Sequence, residues 1–537
     1  MTPSADGPVD TVGELLVRSA RRAPERAALV AGDRRLTYAE LLAEAEALAG
    51  GLLSAGARAG DRVCLFAPNL AEAYVSLFAC ALAGLVFVPV NPRLTSRELR
   101  EVLEESGAGF LLVVPEWAGF DYAERLRELD VRIDGGDGSA ADGPGITLVA
   151  LRGRVPAAVR YQRLLETGAG APARQLLERA RVAIAPTDPL LLQFTSGSTA
   201  TPKGALLAHA ATARMAQALG ERFALVDDDR YFGCPPICHL GGTTFSFLTV
   251  MNRAATFVTL PVFSAGDALA VMGRERCTVL HGIDSHLRLI LAEPGFDPEA
   301  LALRLVSVSA VAETVREVAA RFPGTVVISQ YGSTEVGGAP VCAGADDPEQ
   351  ARLDTVGRPL DGVEVAVLDP ETGAELGPGS VGEIRIGGWS LMRGYLRGEQ
   401  TRAVLDERGR LRTGDLGFVD GDGFVHFTGR LGNMLRIGGE NVSVEEVESV
   451  LTRYPGITGA VVVGVPDRRL GEVGYAFVAG DAGVDLEALR AHCLTELAKF
   501  KIPRHFELRG PGGLPLTGTG KFARRELEQA ALGALAE

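Results

Sequence analysis

The sequence predicts an α/β protein in three parts. These are a large N-terminal domain of layered α/β sheets, a small β-barrel-like or meander subdomain within it, and a small α+β domain at the C-terminus. Three observations carry this. Residues 61–114 alternate strand-like and helix-like segments, the pattern of parallel strands with crossover helices. Residues 355–430 change to short β-rich runs separated by Gly and Asp turns. After Arg430 helix and strand alternate again for roughly a hundred residues, enough for a compact domain.

The elements follow in order. Residues 11–55 read as a helix, a short hairpin and a second helix. Thr37, with Glu40 three residues later, forms a capping-box pattern at the second helix. Residues 61–66 are strand-like, 71–83 helical, 86–90 strand-like, 96–106 helical and 110–114 strand-like. The Gly- and Asp-rich stretch 132–146 reads as a flexible loop. Further α/β units run from 188 to 335, and β-rich runs appear at 363–368, 382–386 and 423–428. Asp420-Gly-Asp422-Gly lacks the remaining ligands of a calcium loop and reads as a hairpin turn. The boundary falls near 431–433, giving an N-terminal domain 1–431 and a C-terminal domain 432–537.

Composition narrows the function. The 537 residues are 47% hydrophobic, so a large core can be buried. The net charge of -14 argues against a nucleic-acid partner but allows a local phosphate site. Seven sparse cysteines argue against a disulfide framework and for a reducing compartment. Cys234-Pro-Pro-Ile-Cys238-His239 has unusual spacing for zinc and no second ligand pair. The N-terminus shows no basic-then-apolar leader, and the longest apolar run, 76–90, is too short to span a bilayer. The expectation is a soluble, cytoplasmic protein without a membrane span.

Lysine and arginine total 54, yet only Lys203, Lys499, Lys501 and Lys521 are lysine. A composition bias that writes arginine for any generic positive charge leaves lysine where a planar guanidinium will not serve. Lys203 and Lys521 both fall in Gly- and Thr-rich turns.

Four segments carry chemistry. A strand-like run leads into Thr195-Ser196-Gly197-Ser198-Thr199-Ala200-Thr201-Pro202-Lys203-Gly204. Small residues let backbone N–H groups approach an anion, hydroxyls donate, and lysine supplies charge. This is phosphate-cradle chemistry without a Walker A pattern; a polar surface loop is the bland alternative. Gln330-Tyr331-Gly332-Ser333-Thr334-Glu335 follows a strand-like run, where ligands sit in parallel sheets. Its hydroxyl and carboxylate suit a phosphate and a Mg²⁺ contact, though a helix start would look alike. Thr413-Gly414-Asp415, followed by Gly429-Arg430, offers a carboxylate in a tight turn that can accept both ribose hydroxyls, or is a simple β-turn. Thr517-Gly518-Thr519-Gly520-Lys521 places a lysine on a Gly-rich loop, solvated unless an anion docks there.

In this order and at this spacing the four segments resemble the adenylate-forming superfamily: acyl-CoA synthetases, aryl-CoA ligases, luciferases and peptide-synthetase adenylation domains. The resemblance covers nearly the whole chain. Looser matches support it, among them Pro236-Ile-Cys-His239, Gly382-Glu383-Ile384, Met392-Arg-Gly394-Tyr395 and Gly438-Gly439-Glu440-Asn441-Val442. The last block, with the Lys-ending tail, is most similar to the acyl-CoA synthetase and aryl-CoA ligase branch.

The resemblance implies that a carboxylic acid attacks the α-phosphate of ATP, releasing pyrophosphate, and that CoA then displaces AMP from the acyl-adenylate. By motif match Thr195, Ser196, Gly197, Ser198, Thr199 and Lys203 hold the β- and γ-phosphates. Tyr331 and Gly332 contact the nucleotide, Thr334 the α-phosphate, and Glu335 the Mg²⁺. Asp415 and Arg430 bind the ribose, and Lys521 bridges the reacting carboxylate and α-phosphate. The C-terminal domain is mobile about Gly432, which brings Gly438, Gly439 and Glu440 to the acyl site beside the pantetheine. His239, His281, Ala310 and Val311 belong to the acyl pocket, His239 as a gate or as a buried structural histidine.

Several positions depart from the pattern. Gly432-Asn433 stands where Asp or Lys followed by Asp is usual, so the hinge is loose. Ala200 replaces a glycine. Ser309-Ala310-Val311-Ala312 replaces Gly-Gly-Ala, and Gly282-Ile283-Asp284 replaces Gly-Val-Pro. The added methyls narrow the pocket, so the expected acid is compact, aromatic or polar. The competing readings are transfer to an acyl-carrier protein or another nucleophile instead of CoA, and a non-catalytic nucleotide-binding protein. A homodimer is compatible with each.

Overall fold

The computed structural model describes residues 9–127, 129, 133–134, 145–195, 203–310, 312–431, 434–437, 440–467, 470–497, 499–516 and 522–536. The chain divides into two compact units. The first comprises residues 1–365, 386–411 and 422–425; the second comprises 366–385, 412–421 and 426–537.

Two nine-stranded sheets build the first unit. One is parallel from Ala27–Ala31 through Thr256–Thr259, Arg230–Gly233, Val279–Ile283 and Leu305–Ser309 to Val326–Ser333. Antiparallel strands close both of its edges. The other sheet is parallel through Ile146–Ala150, Phe110–Val113, Arg62–Phe66, Val86–Pro89 and Pro189–Thr195. It then turns antiparallel into Lys203–Ala208 and Gly394–Tyr395. These strands are continuous runs of Val, Leu and Phe because both faces are covered.

The helix Ala71–Ala83 is buried at every residue. A helix apolar all round belongs inside a core, which explains the apolar run that is too short for a membrane. The helix Tyr38–Ser54 starts at the predicted capping box: Thr37 Oγ1 accepts from Glu40 N at 3.2 Å, and the Glu40 carboxylate accepts from Thr37 N at 2.8 Å. Among the described residues no helix is long and apolar enough to cross a membrane.

The second unit contains most of a four-stranded sheet in the order Val363–Leu368, Gly382–Gly388, Leu411–Val419, Val425–Arg430. This is the meander form of the β-rich region, and Asp420–Gly423 is its hairpin turn. Beyond it, Gly471–Gly480 pairs antiparallel with Ile457–Asp467 and parallel with His505–Arg509. Helices Val444–Thr452, Leu486–Glu496 and Arg524–Ala536 complete this part, around a separate core that includes Val461, Phe477, Leu489 and Leu527.

Candidate active site

In the first unit two strand ends converge. Pro189–Thr195 and Lys203–Ala208 form an antiparallel ladder whose last pair is Thr195 with Lys203. The predicted cradle is therefore closed at its base by a paired strand end. Ser196, Gly197, Ser198 and Thr199 lie outside the described residues. The Lys203 ammonium stands 5.7 Å from the centre of the Tyr395 ring.

The Tyr331–Glu335 motif leaves the strand Val326–Ser333 and turns into a short helix, Thr334–Val336, which ends at Gly337 with φ +70°. Gly332 has a steric reason to be glycine: a Cβ there would lie 1.8 Å from the Gly338 carbonyl oxygen. Tyr331, Thr334 and Glu335 are half-buried. The Tyr395 hydroxyl donates to Glu335 Oε1 at 2.7 Å, and the Met392 N–H donates to the Glu335 carbonyl at 2.8 Å. Burial and the adjoining carboxylate hold the Tyr395 phenol well above its usual value, so it stays protonated and donates.

Next to this turn, the ends of Val279–Ile283 and Leu305–Ser309 carry a buried polar chain. His281 is fully buried, with Nδ1 3.3 Å from Ser307 Oγ. Ser307 Oγ donates to Gln330 Oε1 at 3.0 Å, and Gln330 Nε2 donates to Ser309 Oγ at 2.8 Å. Burial, with His286 nearby, pushes His281 down to about 3, so its ring is neutral. Burial likewise lowers His286 to about 4; its ring centre lies 4.6 Å from that of Phe263. Ala310 is half-buried, and Val311 lies outside the described residues. His239 is exposed, which removes the buried structural alternative. Its carbonyl accepts from Gly242 N and Thr243 N at the start of the π-helix Thr243–Leu248. Such wide turns are frequent at functional sites.

The second unit holds the Asp415 turn. Gly414 adopts φ +68°, which glycine tolerates without strain. Its N–H donates to the buried Glu383 carboxylate at 3.1 Å, and Thr413 Oγ1 donates to the Ile384 carbonyl at 2.6 Å. Asp415 is buried, and its Oδ1 pairs with Arg430 Nε at 2.9 Å; the Arg430 side chain is largely exposed. Glu440 begins the strand Glu440–Ser443, paired with Met434–Ile437. Gly432, Gly438, Gly439 and Lys521 lie outside the described residues. The residues flanking the Lys521 loop are described: Leu516 bridges Phe522, and Arg524 pairs with the half-buried Glu448 at 2.6 Å.

Sequence reasoning missed three contacts. Tyr395 stood only in a loose motif, Glu383 likewise, and Glu448–Arg524 left no signal. Among the described residues no three His, Cys, Asp or Glu side chains cluster to cage a metal ion. Glu335 is a carboxylate braced by the Tyr395 phenol.

Comparison with known proteins is consistent along the whole chain. Residues 16–396 match the AMP-binding enzyme family, and residues 446–521 match the AMP-binding enzyme C-terminal domain. Feruloyl-CoA synthase from Amycolatopsis sp is 34% identical over 525 residues, covering 96% of this chain and 98% of that protein. A 7a-methyl-1,5-dioxo-octahydro-1H-inden-4-yl-propanoyl:CoA ligase from Rhodococcus jostii is 32% identical over 529 residues, covering 97% and 98%. Among solved structures, o-succinylbenzoate coenzyme A synthetase from Bacillus subtilis, in complex with ATP and magnesium ion, superposes with a TM-score of 0.77. It shares 26% identity and covers 96% of this chain and 98% of its own.

Proposed function

The chain belongs to the AMP-binding enzyme family, and from that premise we propose how its residues divide the work of an AMP-forming acid–CoA ligase. The family reaction joins three substrates. A carboxylate oxygen attacks the α-phosphorus of ATP and pyrophosphate leaves; the CoA thiol then displaces AMP from the acyl-adenylate, forming the thioester.

In our reading Thr195, Ser196, Gly197, Ser198, Thr199 and Lys203 cradle the β- and γ-phosphates. Tyr331 and Gly332 approach the nucleotide, and Thr334 donates to the α-phosphate. Asp415 accepts the ribose hydroxyls, with Arg430 fixing its carboxylate. Lys521 supplies the charge that meets the pentavalent phosphorus. One observation carries this reading of the ATP site: Lys203 and Glu335, far apart in the chain, both meet the Tyr395 side chain, Lys203 at the ring and Glu335 at the hydroxyl.

Magnesium suits the residues present. That ion takes one or two carboxylates plus substrate phosphate oxygens rather than a protein cage, and Glu335 is the carboxylate in place. When bound, it would neutralise charge on the triphosphate. The C-terminal domain, 432–537, would pivot at Gly432 and bring Gly438, Gly439 and Glu440 to the acyl-adenylate for thiol attack.

The acid we propose is compact, aromatic or polar. In our reading Ala310, Val311 and His239 belong to its pocket, and His281 is the buried histidine of the Ser307–Gln330 chain. The feruloyl-CoA synthase named above, an enzyme for an aromatic acid, supports this choice. Seven buried, unpaired cysteines suit a reducing cytoplasm. Transfer to a carrier protein is the second reading, favoured by Gly432-Asn433 standing where the family usually has Asp or Lys followed by Asp. The test is ATP–pyrophosphate exchange over a panel of acids, followed by AMP release with and without CoA. Exchange with aryl or polar acids and CoA-dependent release are expected. Palmitate outperforming the panel would overturn the substrate class, and release that ignores CoA but responds to a carrier would overturn the acceptor.

A further inference from the structure

Residues 390–396 tie two parts of the first unit together. Gly394–Tyr395 pairs antiparallel with Leu206 and Ala205, next to the base of the phosphate cradle. The Leu396 N–H donates to the Gly204 carbonyl at 2.9 Å, and the Arg393 N–H donates to the Leu206 carbonyl at 2.8 Å. On its other side the segment reaches the Glu335 turn through Met392 N–H. Tyr395 is itself held, its N–H donating to Thr401 Oγ1 at 2.8 Å and its side chain buried to 7% exposure.

We propose that Tyr395 is a positioning residue of the adenylation site, whose hydroxyl orients the Glu335 carboxylate for a metal-bound triphosphate and whose ring face holds Lys203 beside the same ligand. The inference rests on the reading of Glu335 and Lys203 given above. A carboxylate has two oxygens and rotates about its last bond. The phenol occupies Oε1 and stops that rotation, which leaves Oε2 for a cation. An ammonium within about 6 Å of a ring face is attracted by the ring's electron density. One buried side chain therefore places an acceptor and a donor of opposite charge, and residues 392–396, which carry it, are hydrogen-bonded to Glu335 and to Gly204, the neighbour of Lys203.

The test separates the hydroxyl from the ring. Titration calorimetry with ATP, at several Mg²⁺ concentrations and in chelator, needs neither acid nor CoA. Tyr395→Phe keeps the ring and removes one oxygen. We expect the Mg²⁺ concentration for half-maximal ATP binding to rise about tenfold or more, as for a lost hydrogen bond to a charged group. Binding of metal-free ATP should stay at the wild-type value. Tyr395→Leu should weaken metal-free ATP as well, by about threefold to fivefold, through loss of the cation–π contact. Melting temperatures of both variants check folding. An unchanged Mg²⁺ dependence in Tyr395→Phe overturns the proposal. Equal weakening with and without Mg²⁺ also overturns it, because a purely structural role would act that way. A wild-type chain that binds Mg²⁺–ATP but exchanges no pyrophosphate with any acid defeats the functional reading and leaves the Tyr395 result standing.

Discussion

The loop that ends at Lys203 and the loop that ends at Lys521 are held at their bases in different ways. The first closes on a ladder of six residue pairs, Pro189 with Ala208 through Thr195 with Lys203, and Tyr395 backs its lysine. Among the described residues the second closes on one bridge, between Leu516 and Phe522, both exposed, with the Glu448–Arg524 pair next along the chain. A long ladder suits a cradle that waits for the triphosphate in one geometry. A short bridge on a small domain suits a charge delivered for one step and withdrawn for the next.

The largest effect should come from the delivered charge. Lys521→Ala should slow acid-dependent pyrophosphate exchange by roughly a hundredfold or more, a few kcal/mol of lost electrostatic stabilisation, with ATP binding nearly intact. If exchange survives unchanged, the distinction between the two lysines collapses.

Next is the anchor beside the second loop. Glu448 accepts from Val462 N–H at 2.6 Å, and Arg524 donates to the Val462 carbonyl at 3.0 Å, so the pair ties helix, strand and loop base together. Glu448→Leu leaves a partly exposed guanidinium without its carboxylate and should cost about 1–3 kcal/mol locally. Hydrogen exchange should show opening confined to the second unit. Trp117 and Trp389 both lie in the first unit, so tryptophan fluorescence should not change.

Acid should act in the opposite place. His209, His281 and His286 in the first unit are pushed down to about 4, 3 and 4 by burial. Between those values and the usual 6.5 the unfolded chain binds more protons than the folded one, so stability falls as pH drops below about 6.5. Each histidine contributes up to about 1.4 kcal/mol per pH unit in that window. Urea unfolding followed by tryptophan fluorescence measures it, and a midpoint flat from pH 6.5 to 4 contradicts the buried-neutral assignment.

A smaller effect is expected at the Asp415 turn. Asp415→Asn keeps the shape and removes the charge, and should weaken ATP about tenfold, read as KM for ATP in the exchange assay. Smallest is the hinge. Gly432→Asp restricts the backbone and should change CoA-dependent thioester formation severalfold while exchange is unaffected.

Much of the fold was legible because it rests on local rules. The capping box at Thr37, the helix 71–83 and the alternation over 61–114 follow from side-chain spacing, and the structure reproduces them. The candidate site was readable only as motifs: the segments 195–204, 331–335 and 413–415 set small residues, hydroxyls and carboxylates in short order. His239 could not be placed as buried or exposed, because a Pro-rich turn leaves its side-chain direction to whatever packs around it. Tyr395 and Arg524 were missed because their partners, Glu335 and Glu448, lie 60 and 76 residues away along the chain.

The amino-acid order alone determined which chemistry is available here: a lysine-poor chain with two lysines on Gly-rich turns, and carboxylates at tight turns after strands. Periodicity and turn propensity act over a few residues, so those features can be read directly. Tertiary structure decided which carboxylate is braced, which histidine is kept neutral and which ring stands beneath which ammonium. Those contacts depend on strand order and register, and register is set by the burial of whole sheets rather than by any one segment.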